Sequence, residues 1–170
     1  MKFRALQKDD MPEILKWRSQ CPEALRTPYD LTLEQQENWY YDVVCNRQAN
    51  ARWWGIQLNN ALVGYAGIEH IEFENGIGEI SLLLNPEYQR KGLGEDALDL
   101  LLDKGFNFLN LQNLYGECFI CNNASFFWHK MIYKYSGYLT TIPNRKYYQG
   151  EYWDSMYFSF NWEEYDLCPK

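Results

Sequence analysis

The sequence predicts a mixed α/β fold (α+β) in which a mostly antiparallel, seven-stranded sheet receives about four helices on its faces. Three observations predict it. The run from Arg52 to Asn85 alternates in polarity and is broken at Asn59-Asn60 and Asn75-Gly76, pairs that tolerate the positive φ angles of tight hairpins, so it reads as a three-strand meander. Leu93, Ala97, Leu101, Gly105 and Leu109, flanked by Leu98, Leu102 and Phe106, recur at helical spacing directly behind two glycines. The stretches "GYLTTIPNRKYY" and "EYWDSMYFSF" alternate again and read as a long antiparallel pair. With 170 residues, 46% of them hydrophobic and 18% aromatic, the chain fits one domain over residues 1–170 with a substantial core.

The elements follow in order. "KFRAL" is a short opening strand, and Asp10 with Pro12 and Glu13 offers an N-cap, an early proline and a capping-box acid for a first helix. Pro22 and Pro28 break the chain, after which Thr32-x-x-Gln35 starts a second helix in "LEQQENWYYDVV". Behind the meander and the long helix, "NLYGECFIC" is a strand and "NASFFWHKMIYKY" a helix. The long helix has the length of a right-handed crossover, which makes the strands on either side of it parallel neighbours. No linker, repeat or low-complexity tract interrupts this order.

Charge and composition exclude some classes. With 16 Lys and Arg against 23 Asp and Glu, the formal charge is −7, which disfavours the phosphate backbones of DNA and RNA and leaves cationic amines as natural visitors. The start "MKFRALQKDDMPEILKWR" has no apolar core of the kind a secretory signal needs, and no run reaches the length of a membrane span. Cys21, Cys45, Cys118, Cys121 and Cys168 form an odd, irregular set, so reduced thiols and a cytoplasmic location are expected. Cys118 and Cys121 are two residues apart, but lie in a strand-like run without a second pair and read as core thiols rather than a metal site.

The chemistry gathers at "YQRKGLGEDAL". A strand, then Gln89-x-x-Gly92-x-Gly94, then a helix suits phosphate, because glycines let the backbone come close and helix-opening N–H groups point at the anion. Arg90 and Lys91 add positive charge, whereas Glu95 and Asp96 favour the helix dipole and must face away from any phosphate. The plain alternative is a tight loop that uses its glycines only to turn.

Together with Asn85-Pro86-Glu87-Tyr88 and the apolar "EISLLL" before it, this motif resembles the acetyl-CoA-binding core of the GNAT acyltransferases. The resemblance covers the chain in topology and is sharp from about Gly78 to Ser125. It implies acetyl-CoA as cofactor and a sheet with a splayed central strand pair. In that arrangement Gln89 and the main-chain amides of Arg90, Lys91, Gly92, Leu93, Gly94 and Glu95 hold the pyrophosphate. Leu82, Leu83 and Leu84 run beside the pantetheine arm, with amides near Leu83 and Leu84 at the thioester oxygen. A second match, Asn122-Asn-Ala-Ser125, implies that Asn122 and Ser125 contact coenzyme; both also suit a helix N-cap. The family's tyrosine four residues after the Ser is here His129, and the family's closing Gly-Phe, here Gly137-Tyr138, comes about one turn late.

Amide formation from a thioester needs a neutral amine, a stabilised oxyanion and a proton for the leaving thiolate. By resemblance Glu79 accepts the ammonium proton, directly or through water; its alternative is a solvent-facing strand position. His129 is the positional acid, and Tyr133, one turn along the same face, is its rival. Glu69, His70, Glu72 and Glu74 in "IEHIEFENG" either draw a cation or form a solvated hairpin tip. The segment from Leu15 to Tyr40 resembles the acceptor region of ribosomal-protein and bacterial aminosugar N-acetyltransferases. That resemblance implies that Trp17, Arg18, Arg26, Tyr29, Thr32 and Trp39 meet the acceptor, although the same aromatics also suit a core.

The resulting expectation is an acetyl-CoA-dependent N-acetyltransferase with a small-molecule amine acceptor, a nucleotide-linked aminosugar leading. A protein N-terminus or polyamine comes next, and a noncatalytic acyl-CoA-binding module is the alternative of a different class. No nucleic acid, membrane or metal is expected as a partner. The terminal strand pair, rich in tyrosine around Gly150-x-Tyr152-x-Asp154, either covers the acceptor cleft or forms a homodimer seam.

Overall fold

The computed structural model describes residues 1–26 and 29–167. Pro28 and Cys168, named above, lie outside the described residues. Seven strands form one sheet in the order β1-β2-β3-β4-β5-β7-β6: β1 (Lys2–Ala5), β2 (Arg52–Leu58), β3 (Ala61–Glu72), β4 (Ile77–Leu84), β5 (Asn113–Phe119), β6 (Tyr138–Tyr148) and β7 (Glu151–Asn161). All neighbours are antiparallel except β4 and β5, the pair joined by the crossover helix. The turns that define the meander behave as their residues dictate, with positive φ at Asn59, Asn60 and Gly76.

The helices are α1 (Met11–Gln20), α2 (Leu33–Trp39), α3 (Leu93–Asp103), α4 (Ala124–Lys134) and α5 (Trp162–Leu167). Thr32 and Gln35 form the capping box expected at α2: the Gln35 N–H donates to Thr32 Oγ1 at 3.2 Å and the Thr32 N–H donates to Gln35 Oε1 at 2.9 Å. Asp10 departs from its expected role. It makes no side-chain cap for α1, because its carboxylate instead accepts two bonds from Arg4, each at 2.7 Å, and one from the Gln7 N–H. The fifth helix was not expected, although its signals are present: Asn161 Oδ1 accepts the Glu163 N–H at 2.9 Å, and two glutamates fill the first turn. Helices α2 and α3 each widen into a π-helical turn, at Tyr40–Val44 and Lys104–Phe108, so the α-helix ends sooner than the apolar repeat suggests.

Two apolar layers sandwich the sheet. Leu98, Leu101 and Leu102 of α3, Met131 of α4 and Tyr165 of α5 pack on one face against Ile68, Ile80, Leu114 and Phe160. Met11, Ile14 and Trp17 of α1 cover the other face, meeting Leu6 and Tyr65 with Leu83 at the margin. Cys118 is 3% exposed within the larger layer. Among the described residues no helix is long and apolar enough to cross a membrane.

Candidate active site

The sheet forks at its centre. Strands β4 and β5 pair over three positions only, Ile77 with Asn113, Gly78 with Leu114 and Glu79 with Tyr115. Beyond them β4 stays with β3 as far as Leu84 and β5 stays with β7 as far as Phe119, so the two inner edges diverge. Peptide groups in an antiparallel ladder alternate in direction. Because the Asn85 N–H donates to the Val63 carbonyl, and Leu83 lies opposite Tyr65, Leu83 turns its N–H toward β3 while Leu82 and Leu84 turn theirs into the fork. The expectation that the Leu83 amide serves the fork is corrected accordingly: Leu82 and Leu84 have that orientation.

Glu79 occupies the last paired position and is 6% exposed. Across the fork Glu117, with a side chain only 1% exposed, points to the same face two residues after Tyr115. Arg26, from the segment between α1 and α2, spans the two. Its Nη1 donates to Glu79 Oε2 at 3.2 Å, its Nη2 to Glu79 Oε1, and its Nε to Glu117 Oε2 at 3.0 Å. Burial alone would lower the Arg26 pKa, but its bonds to Glu79 and the charges of both carboxylates outweigh this and hold the guanidinium above its ordinary value. His70 Nδ1 lies 2.9 Å from Glu79 Oε2. His70 is placed there by a bulge: the β3–β4 register shifts between Glu69 and Glu72, and His70 takes a φ of 49°. Arg145 Nε donates to Glu117 Oε1 at 3.1 Å, and Ser81 Oγ donates to Glu69 Oε1 at 2.8 Å. The "IEHIEFENG" hairpin therefore divides: Glu69 and His70 line the cleft, while Glu72 accepts a bond from Asn75 at the turn.

Arg26, Glu69, His70, Glu79, Ser81 and Glu117 line a cleft of about 540 Å³. Of the expected acceptor residues, Arg18, Arg26, Tyr29 and Trp39 reach it. Trp17 does not: it is 2% exposed in the layer beneath α1, so the expectation that it meets an acceptor is corrected. Thr32 serves its helix cap. Trp39 meets Trp53 edge to face at 5.2 Å and Tyr65 at 6.3 Å, and Arg18 Nη1 donates to the Tyr65 hydroxyl at 3.3 Å. Trp53, Tyr65 and Glu117 were not singled out from the sequence. The signal was the period of two that puts Tyr65, Gly67 and Glu69 on the face of Glu79.

The turn before α3 is open. Asn85 Oδ1 accepts the Glu87 N–H at 3.0 Å and starts a 3-10 turn, Pro86–Tyr88, that delivers Gln89. Gln89 donates its amide to the Leu84 carbonyl at 3.1 Å. Arg90, Lys91 and Gly92 are exposed, Gly92 has φ 82° with nothing within 4 Å of a Cβ built there, and no side chain caps α3. The N–H groups that a helix start leaves over are thus presented to solvent beside two cationic side chains. Glu95 faces away as required, paired with Lys130 at 2.8 Å and Lys134 at 3.0 Å, which lower its pKa through hydrogen bonds. Gly94 has a different reason: a Cβ there would stand 3.1 Å from the Phe127 ring, so its smallness serves the α3–α4 contact.

Helix α4 turns Ala124 and Trp128, one turn apart, toward the cleft. Trp128 stacks on Phe158 at 4.5 Å. His129 is exposed and Tyr133 is 90% exposed, so neither proposed acid is brought to the fork, a correction caused by the helix register. Asn122 lines the cleft but lends its Oδ1 to the Ala124 N–H at 2.9 Å. Ser125 is buried beneath the helix start.

Residues 1–129 match the acetyltransferase (GNAT) domain family. The spermidine N(1)-acetyltransferase of Escherichia coli (strain K12) is 26% identical over 118 residues, covering 68% of this chain and 62% of that protein. The uncharacterized N-acetyltransferase YnaD of Bacillus subtilis (strain 168) is 31% identical over 105 residues, 58% of this chain and 59% of its own. The chain thus spans about three fifths of the length of these curated relatives. In fold it is similar to the spermidine N-acetyltransferase from Vibrio cholerae solved in complex with CoA and spermine, with a TM-score of 0.85 over 96% of each chain and 18% identity. The chain belongs to the GNAT acetyltransferase family, whose sheet and glycine-opened helix it reproduces.

Proposed function

We propose that the chain is an acetyl-CoA-dependent N-acetyltransferase acting on a small polycationic amine of the polyamine class. The observation that carries this reading is the pair of buried carboxylates, Glu79 and Glu117, at the point where β4 and β5 part. Arg26 is the countercharge the two share in this structure, and a polyamine supplies positive charge of the same kind in its place. The relatives named for spermidine support the same acceptor class.

The residues at the α3 turn fit the coenzyme: Gly92 leaves open space, α3 is uncapped, and Arg90 and Lys91 are exposed. They would hold its diphosphate through main-chain N–H groups of residues 90–94, the Glu95 N–H being donated to the Gly92 carbonyl at 3.3 Å, while the free edge of β4 at Leu82 and Leu84 would accompany its arm into the fork. Acetyl-CoA, when bound, supplies the acetyl group as a thioester. The Leu82 and Leu84 N–H groups are the donors that face the acyl oxygen's side of the fork. Glu79 orients the amine and takes its proton, directly or through a water. His70, against Glu79 Oε2 and with 60% of its side chain exposed, passes that proton to solvent, and the CoA thiolate released as the carbon–sulfur bond breaks takes a proton from solvent in turn. Trp39, Trp53 and Tyr65 give an apolar wall to the acceptor's methylenes.

The nucleotide-linked aminosugar fares less well as acceptor. Trp17, one of the aromatics expected to meet it, is sealed in the core. The test is thiol release from acetyl-CoA across spermidine, diamines, an aminosugar nucleotide and a peptide with a free N-terminus. Release with spermidine or diamines is expected; release only with the sugar or peptide overturns the acceptor class, and coenzyme binding without release anywhere favours a noncatalytic module.

A further inference from the structure

We infer that Arg26 is a built-in competitor of the acceptor: its guanidinium occupies the site of the acceptor's positive charges, and the two carboxylates it bridges make the cleft select amines with two charges over amines with one. The inference rests on the amine-acceptor reading above and adds the rule by which the site discriminates.

Among the described residues each carboxylate has one hydrogen-bonded partner besides Arg26. His70 lies against Glu79 Oε2 and Arg145 against Glu117 Oε1. The remaining oxygens, Glu79 Oε1 and Glu117 Oε2, are held by Arg26. These two oxygens belong to different strands of the fork, and one planar guanidinium bridges them with its rigid array of donors. An amine that enters must take the place of those donors, because losing the countercharge that the two carboxylates share without replacing it is strongly unfavourable. A monoamine offers one ammonium for two carboxylates, whereas a diamine offers one for each.

Arg26 can yield without loss of the fold. The chain before it is fastened by Lys146, 5% exposed on β6, whose ammonium donates to the carbonyls of Pro22, Glu23 and Leu25 at 3.2, 2.8 and 2.6 Å. Burial lowers the pKa of that ammonium, yet three carbonyls and the faces of Phe119 and Tyr148 surround it. The anchor keeps residues 22–25 in place, and the Arg26 side chain is 43% exposed to solvent.

The experiment is calorimetric titration of the full chain, with CoA present, by 1,4-diaminobutane and by 1-aminobutane, in the wild type, Arg26→Gln and Arg26→Lys. The wild type is expected to bind the diamine at least tenfold more tightly than the monoamine. In Arg26→Gln both amines should tighten at least fivefold, the diamine no less than the monoamine, because neither has to displace the guanidinium; Arg26→Lys should fall between. No tightening, or weakening of either amine, overturns the inference and leaves Arg26 a structural brace. Circular dichroism checks that the variants fold, and failure of both to fold also assigns Arg26 a structural role and overturns it. Failure of the underlying acceptor reading looks different: no amine of either kind binds any of the three proteins.

Discussion

Glu79 owes its place to the last parallel pair of β4 and β5, which fixes its backbone, and to Arg26 and His70, which fix its carboxylate. Glu79→Gln keeps the shape and loses the base. Turnover should fall by roughly 10²-fold or more, while CoA affinity measured by calorimetry stays within twofold; equal loss of both would make Glu79 structural. Tyr133 gives the opposite forecast. At 90% exposure it has no route to the fork, so Tyr133→Phe should leave kcat unchanged, and a hundredfold loss would restore it as the acid. Among the thiols, burial pushes Cys118 up to about 12 and raises Cys21 and Cys121, whereas Cys45 is exposed. Maleimide labelling with peptide mapping should modify Cys45 well before Cys118. The turn from Gln89 to Gly94 was legible because backbone chemistry writes itself into sequence as glycine spacing and strand order, whereas Glu79 was named only through the family resemblance. Arg26 meeting Glu79, 53 positions away, was not, because no local pattern encodes a contact made by a loop across the sheet.

At the scale of elements, α3 is held to α4 by Glu95 with Lys130 and Lys134, and by Gly94 against Phe127. Those lysines set the folded pKa of Glu95 below its ordinary value of 4.5. The stability this gives is full above that ordinary value and is lost as pH falls through the folded one. The difference in unfolding midpoint between wild type and Glu95→Gln should therefore shrink on acidification below about pH 4.5; a difference independent of pH would contradict the pairing. The hairpin turns were readable from Asn59-Asn60 and Asn75-Gly76, since few residues accept positive φ. The register of α4 was not readable. "ASFFWHKMIYK" is apolar or aromatic on several sides, so its sequence does not say whether Trp128 or His129 meets the fork, and packing on Phe158 decides it.

For the whole molecule, two apolar layers and a forked sheet place a carboxylate cleft on the face of α1 and α2, while α3 and α4 pack on the opposite face. Leu101, fully buried between α3 and the sheet, anchors this arrangement; Leu101→Ala should cost about 3 kcal/mol in denaturant unfolding, and a cost near zero would contradict the assigned core. The formal charge of −7 reinforces the local acids in drawing in a polycation, an effect that added salt screens. The most direct measurement is a crystal structure of the chain with CoA and 1,4-diaminobutane. Diphosphate on the amides of residues 90–94, with an ammonium on Glu79 and Arg26 swung clear, is the predicted result. An amine bound elsewhere while Arg26 still bridges Glu79 and Glu117, or a coenzyme that bypasses the α3 turn, would contradict the account.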